Sequence, residues 1–200
     1  MDARPTDVLL VRCSLASPDG LADAARRLVA NAGWPATLQR AAWSAPAQLA
    51  YVYLQLTREQ AIPAGALADL AAQWRTLCPQ AEAIDVARLQ RALDLAGVSA
   101  GATPRNHYTV ETDPREGWAD EIERWYAVEH LPGLAAVPGC ILAQRYLNHD
   151  SGPRSLACYD LVAAEVLTTP AWLTVRETEW SDRARPHFTN TRRTMMEVVG

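Results

Sequence analysis

Apolar positions in this chain follow two periods, one of strands and one of helices, and the order in which they alternate occurs twice. Asp7 to Leu15 (DVLLVRCSL) is a Val- and Leu-rich strand. Pro18 to Ala32 then carries apolar residues at helical spacing and stops at Gly33. Ala36 to Trp43 reads as a second strand. Ala45-Pro46-Ala47 turns into a third, Gln48 to Thr57, where Tyr51 and Tyr53 alternate with Val52 and Leu54. A second helix is expected from Pro63 to Leu77, closed by Cys78-Pro79, and a last strand from Glu82 to Leu89. The order is βαββαβ.

Leu95 to Arg105 (LAGVSAGATPR) lacks apolar periodicity and is rich in Ala, Gly and Ser, which predicts a linker. Beyond it the order returns. Asn106 to Thr112 is a strand, Pro114 to His130 a helix, and Cys140 to Asn148 and Ser155 to Val162 are strands around a polar turn at Asp150-Ser151-Gly152-Pro153. A broken helical stretch runs from Ala163 to Phe188, and Thr191 to Val199 closes as a strand. The pattern therefore predicts two units, 1–94 and 106–200, joined by 95–105. Each antiparallel sheet has helices on one face only, so its other face needs a cover. Two such sheets facing each other give an α+β, barrel-like core.

The helix at Pro114 to His130 concentrates the reactive and aromatic residues. Asp113 suits the N-cap, Pro114 the first helical position and Glu116 the third, as in a capping box. Pro132-Gly133 is expected to stop the helix. Trp118, Ile122, Trp125 and Glu129 fall on one helical stripe, and Tyr126 and His130 on the adjoining one.

Composition narrows the chemistry. With 49% hydrophobic residues the chain has ample material for a core, and no apolar run is long enough to span a bilayer. A net charge of −4 gives no basis for nucleic-acid binding. All 19 basic residues are Arg, so Schiff-base chemistry, pyridoxal phosphate anchoring and a P-loop lysine are excluded. The N-terminal run is too short and too acidic for a signal peptide, and a cytoplasmic protein is expected. Cys13, Cys78, Cys140 and Cys158 form no CxxC pair and read as buried thiols. Neither a metal site nor a cofactor is expected: no HxH or HxxxH spacing and no glycine-rich nucleotide loop occurs.

Trp125-Tyr126-x-x-Glu129-His130-Leu131-Pro132, Val137-Pro138-Gly139, Arg145-Tyr146, Pro170-Ala171-Trp172 and Arg185-Pro186-His187-Phe188 together resemble the dimeric α/β-barrel superfamily of ferredoxin-like units, most closely its EthD-like and related branches. The resemblance implies two tandem ferredoxin-like βαββαβ units, the first a degenerate scaffold and the second carrying the site. That superfamily includes muconolactone isomerases, polyketide cyclases, cofactor-independent monooxygenases and haem-using enzymes. It also implies a pocket for a small aromatic or cyclic ligand. A homodimer is left open, as are three functions: a cofactor-independent isomerase, cyclase or lyase, a non-catalytic binder, and a cofactor-free monooxygenase.

Each candidate residue has a chemical and a structural reading. His130 either moves a proton, aided by a helix dipole that favours imidazolium, or caps its helix. Glu129 either shares that site or points away. Tyr126 and Arg145 would polarise a substrate oxygen, with Tyr126 otherwise a half-buried surface ring. Trp118 and Trp125 either wall a ligand or belong to the core. His187, near Arg183 and Arg185, either marks an anion site or sits among ion pairs with Glu177, Glu179 and Asp182. His107 joins the site only if its strand points it inward, and His149 reads as solvated.

Overall fold

The computed structural model describes residues 2–200. It is an α+β fold. The chain runs through β1 (Ala3–Ser14), α1 (Leu21–Asn31), β2 (Ala36–Ser44), β3 (Leu49–Pro63), α2 (Gly65–Leu77) and β4 (Glu82–Ala96). It continues through β5 (Asn106–Pro114), α3 (Ala119–Trp125), a π turn (Tyr126–His130), α4 (Leu131–Ala135), β6 (Cys140–Asn148) and β7 (Ser155–Leu161). A 3-10 turn (Ala164–Thr168), α5 (Pro170–Arg176), α6 (Glu179–Ala184), a second 3-10 turn (Arg185–His187) and β8 (Phe188–Val198) complete it. Among the described residues no helix is long and apolar enough to cross a membrane.

Two compact units result, and their boundaries differ from the expected 1–94 and 106–200. The first comprises the chain up to Arg91 together with Asn148–Ser151 and Met196–Gly200. In it the strands lie in the order β4, β1, β3, β2, followed by the end of β8. β1 pairs antiparallel with β3 and β4, and the register of β1 against β3 shifts at Asp7. There the Asp7 carboxylate accepts the Arg91 backbone N–H, so the bulge is tied down and β4 runs on past the expected Leu89. Leu9, Val11, Val52, Leu54, Leu28 and Trp74 are fully buried in this unit's core. Two buried guanidinium groups are fully paired. Arg88 bonds both carboxylate oxygens of Asp150 and the carbonyls of Asp2 and Ile62, and Arg12 pairs with Asp85.

The second unit comprises Ala92–Leu147 and Gly152–Met195, with strands in the order β8, β5, β7, β6 and the end of β4. Its core gathers Ile122, Trp125, Tyr126, Leu134, Tyr159 and Trp172. The four cysteines are buried and form no disulfide among the described residues.

The supposed linker, Leu95 to Arg105, belongs to this second unit. Leu95 and Ala96 end β4, and the backbone N–H groups of Gly97, Val98 and Ser99 donate to Ile141, Ala135 and Cys140. Small residues are there for close approach: a Cβ on Gly97 would sit 2.1 Å from the Cys140 carbonyl oxygen.

The central helix also departs from expectation. Pro114 ends β5, and Asp113 accepts from Arg154 N–H and Asn190 Nδ2, so it caps nothing. The Arg115 N–H donates to the His187 carbonyl, and Gly117 takes φ 79°, which holds 115–118 as a turn and delays the helix to Ala119. Pro132 and Gly133 do not stop it. Pro132 lacks an N–H and its ring crowds the carbonyl four residues back. The helix widens to a π turn before it, with Leu131 N–H bonded to Tyr126 O, and then continues to Ala135. Gly133 is needed for packing, because a Cβ there would lie 2.7 Å from Val175 on α5.

Gly97→Ala should cost about 1–3 kcal/mol or more, since backbone and not a flexible side chain must give way. Urea denaturation measures it; an unconstrained linker would show no loss.

Candidate functional site

The π turn decides which side chains meet. In a regular α-helix, residues five apart point about 140° apart. Here the i→i+5 bonding brings His130 round to Trp125, and the two rings stack at 4.0 Å with 20° between planes. Tyr126 meets the same imidazole edge-on at 5.6 Å. The pairing expected from a straight helix, Trp125 with Glu129, does not occur.

His130 and Trp125 line a small cavity of about 30 Å³ within the second unit. Trp172 and Arg176 come from one face of α5, four residues apart, and Tyr108 and Val110 from alternate positions on β5. Phe188 and Arg193 come from β8. An odd separation along a strand normally changes face, and Asn190 between them takes φ 50°, a left-handed kink that resets the alternation. Tyr126, Leu134, Tyr159 and Arg185 complete the walls. Phe188 stacks parallel to Tyr126 at 6.3 Å, and Trp172 meets Tyr159 edge-on at 5.3 Å. The space holds about one water-sized molecule, so a planar macrocycle such as haem does not fit.

The electrostatics are one-sided. His130 is buried, its Nδ1 has no hydrogen-bond partner, and its pKa falls to about 3. Desolvation is the main cause, Arg185 and Arg176 add to it, and the backbone of Val175 opposes it slightly. The expected imidazolium is therefore reversed: the helix does not end at His130, so no dipole terminus acts there, and the ring neither caps nor carries charge. Tyr126 is fully buried, which pushes its pKa up to about 12 and keeps its hydroxyl protonated. Arg185 is pulled below its ordinary value by burial and by its neighbours Arg176 and Arg193. Arg185 donates to the Arg176 carbonyl, and none of the three pairs with a carboxylate. Arg176 and Arg185 are half-buried and Arg193 is exposed, so this cationic group forms the wet side of the cavity.

The other expected residues lie elsewhere. Glu129 accepts a 2.6 Å bond from the Thr178 hydroxyl and lines no part of the cavity. His107 alternates with Tyr108 and faces away, bonding Asp160 at 2.8 Å in the core. Trp118 and His187 stack on each other at 3.3 Å, outside the cavity. Arg145 stands with its guanidinium carbon 5.0 Å from the Tyr126 ring and opens on a different cavity. His149, read as solvated, is half-buried in its turn. Arg183 bonds Glu121, so of the two arginines near His187 only Arg185 reaches the site, and it does so beside His130. Tyr108, Arg176 and Arg193 carried no motif; the i, i+4 pair Trp172 and Arg176 was the available signal. Among the described residues no group of three or more His, Cys, Asp or Glu side chains could hold a metal ion.

No protein-family model and no curated protein matches this chain. Solved structures do. A candidate monooxygenase from Fusobacterium nucleatum aligns with a TM-score of 0.66 at 10% identity, over 100% of this chain and 94% of its own. An anthrone oxidase-like protein gives 0.63 at 14%, over 96% and 91%. A chlorite dismutase from Candidatus Nitrospira defluvii gives 0.62 at 8%, over 98% and 92%. Identities this low establish the fold alone, and that fold is of the ferredoxin-like α/β-barrel type.

The depressed pKa of His130 makes a signed prediction. The unfolded ring protonates near 6.5 and the folded ring near 3, so the unfolded state holds the extra proton between them. The stability tied to a neutral His130 is full above about pH 6.5 and is lost as pH falls toward 3, at up to about 1.4 kcal/mol per pH unit. His130→Gln should flatten the curve in that window, as chemical denaturation at stepped pH would show.

Proposed function

We propose that the second unit is a cofactor-independent acid–base site for a small aromatic or enolisable carbonyl compound, in the manner of an isomerase, cyclase or lyase. The observation that carries this reading is a buried, neutral His130 with an unpartnered Nδ1, facing three guanidinium groups that lack carboxylates. Burial and the arginines oppose protonation of the imidazole in the empty site, so it takes a proton only as a developing enolate supplies the compensating negative charge. Removing a proton next to a carbonyl leaves an enolate, and Arg185, Arg176 and Arg193 supply positive charge where that oxygen would develop. The Trp125, Trp172 and Phe188 rings exclude water and hold a flat ligand. A ring-sized substrate requires the arginine side chains at the wet side to swing out. Tyr126 supports the imidazole edge-on, and Glu129 acts at a distance by fixing Thr178 at the start of α6.

His107, His130 and His187 lie in the second unit and only His149 in the first, which supports the first unit as scaffold in a tandem arrangement of EthD-like type. A second reading is favoured by the small, aromatic-walled cavity and by the neighbours named as an anthrone oxidase-like protein and a candidate monooxygenase. In it the same enolate meets dioxygen in place of being reprotonated.

Exchange of α-protons for deuterium, followed by NMR over a panel of small keto acids and phenolic ketones, tests the proton step. Wild type should exchange at least one of them, and His130→Gln should slow it by about 10²–10⁴ while staying folded at neutral pH. Undiminished exchange in His130→Gln would remove the histidine from the mechanism. Oxygen uptake with the exchanging compound separates the two readings.

A further inference from the structure

Among the described residues three arginines are buried: Arg12, Arg88 and Arg145. Arg12 has Asp85 and Arg88 has Asp150, each as an ion pair. Arg145, only 4% exposed, has neither. Its Nε donates to Ser155 Oγ at 3.3 Å, one face of its guanidinium lies over Tyr126, and Nη1 has no partner. The carboxylate that acts on it through space, Glu123, is exposed and makes no ion pair with it. A guanidinium taken out of water without a counter-charge is costly, and proteins pair such groups or bring them a ligand.

Arg145 borders a cavity of about 210 Å³ inside the second unit that shares no lining residue with the His130 cavity. Ile122 and Leu147 give it apolar walls, Ser155 sits beside the guanidinium, and the exposed Arg154, Asp120 and Glu123 stand at its solvent side, leaving Arg145 as its buried charge. It is smaller than the roughly 300–1,000 Å³ typical of drug-sized sites, which limits the occupant to a small molecule. We propose that this cavity is a second ligand site, in which a small organic monocarboxylate binds Arg145 as Asp150 binds Arg88. The planar fork matches a carboxylate edge to edge, and the apolar walls take the hydrocarbon part. The site does not depend on any chemistry at His130.

Thermal unfolding with sodium benzoate, against sodium chloride and inorganic phosphate at equal ionic strength, tests it. Benzoate should raise the melting temperature saturably and beyond both controls, and Arg185→Gln should keep that rise. Arg145→Gln should weaken the apparent affinity by about tenfold or more. Ala119→Trp places bulk on an exposed lining residue, leaves Arg145 intact and should abolish the effect, which covers the case in which Arg145→Gln does not fold. The proposal fails if benzoate does no more than chloride, if phosphate matches it, or if the rise survives Arg145→Gln or Ala119→Trp. A rise lost in Arg185→Gln would also overturn it, because the acid would then occupy the His130 cavity.

Discussion

The site depends on one local distortion, the π turn from Tyr126 to His130. It places the imidazole on the Trp125 ring, away from bulk water, where burial keeps it neutral. A straight α-helix through the same residues would carry His130 about 140° away from Trp125. The distortion has a chemical cause in Pro132, which cannot donate to the helix and crowds its preceding turn. The close packing of Gly133 on Val175 then brings α5 against α4, and α5 carries both Trp172 and Arg176. One turn of backbone thus connects the sequence Glu129-His130-Leu131-Pro132-Gly133 to the aromatic wall and to part of the cationic side.

Charge then sorts the residues by role. Arg185 and Arg176 depress the imidazole, Arg176 and Arg193 depress Arg185, and none of the three forms an ion pair with a carboxylate. Such a group of like charges raises the free energy of the empty site and favours an anion, or a transition state that develops one. Glu111 and Arg192, by contrast, form a close two-point pair one position from Arg193. Alternation along β8 separates a satisfied arginine from one left to the cavity.

Much of the fold was legible in the sequence, because periodicity and turn residues report directly on local structure. The order of strands and helices followed from alternating Val, Leu and Tyr and from Pro and Gly punctuation. The clustering of the Trp125, Tyr126 and His130 rings could also be read from the sequence. What could not be read were departures from regular geometry. Pro132-Gly133 carries the signal of a helix end, and nothing local distinguishes a stop from a widened turn. The facing of Glu129 stayed open for that reason, since a stripe drawn at 3.6 residues per turn does not hold through a π turn. Leu95 to Arg105 looked like a linker because small residues serve flexible chains and close backbone contacts alike; only Gly97 against Cys140 tells them apart. Arg176 and Arg193 are set by tertiary packing and by the kink at Asn190, neither of which has a sequence period.

The function rests on a neutral His130 held in a buried, cationic cavity. An NMR pH titration of its ring resonances, assigned by comparison with His130→Gln, tests this most directly. The imidazole should stay uncharged through the neutral range and titrate near pH 3, or not before the protein unfolds. A titration near the ordinary histidine value of about 6.5 would contradict it, since the ring would then be solvated and free of the arginines.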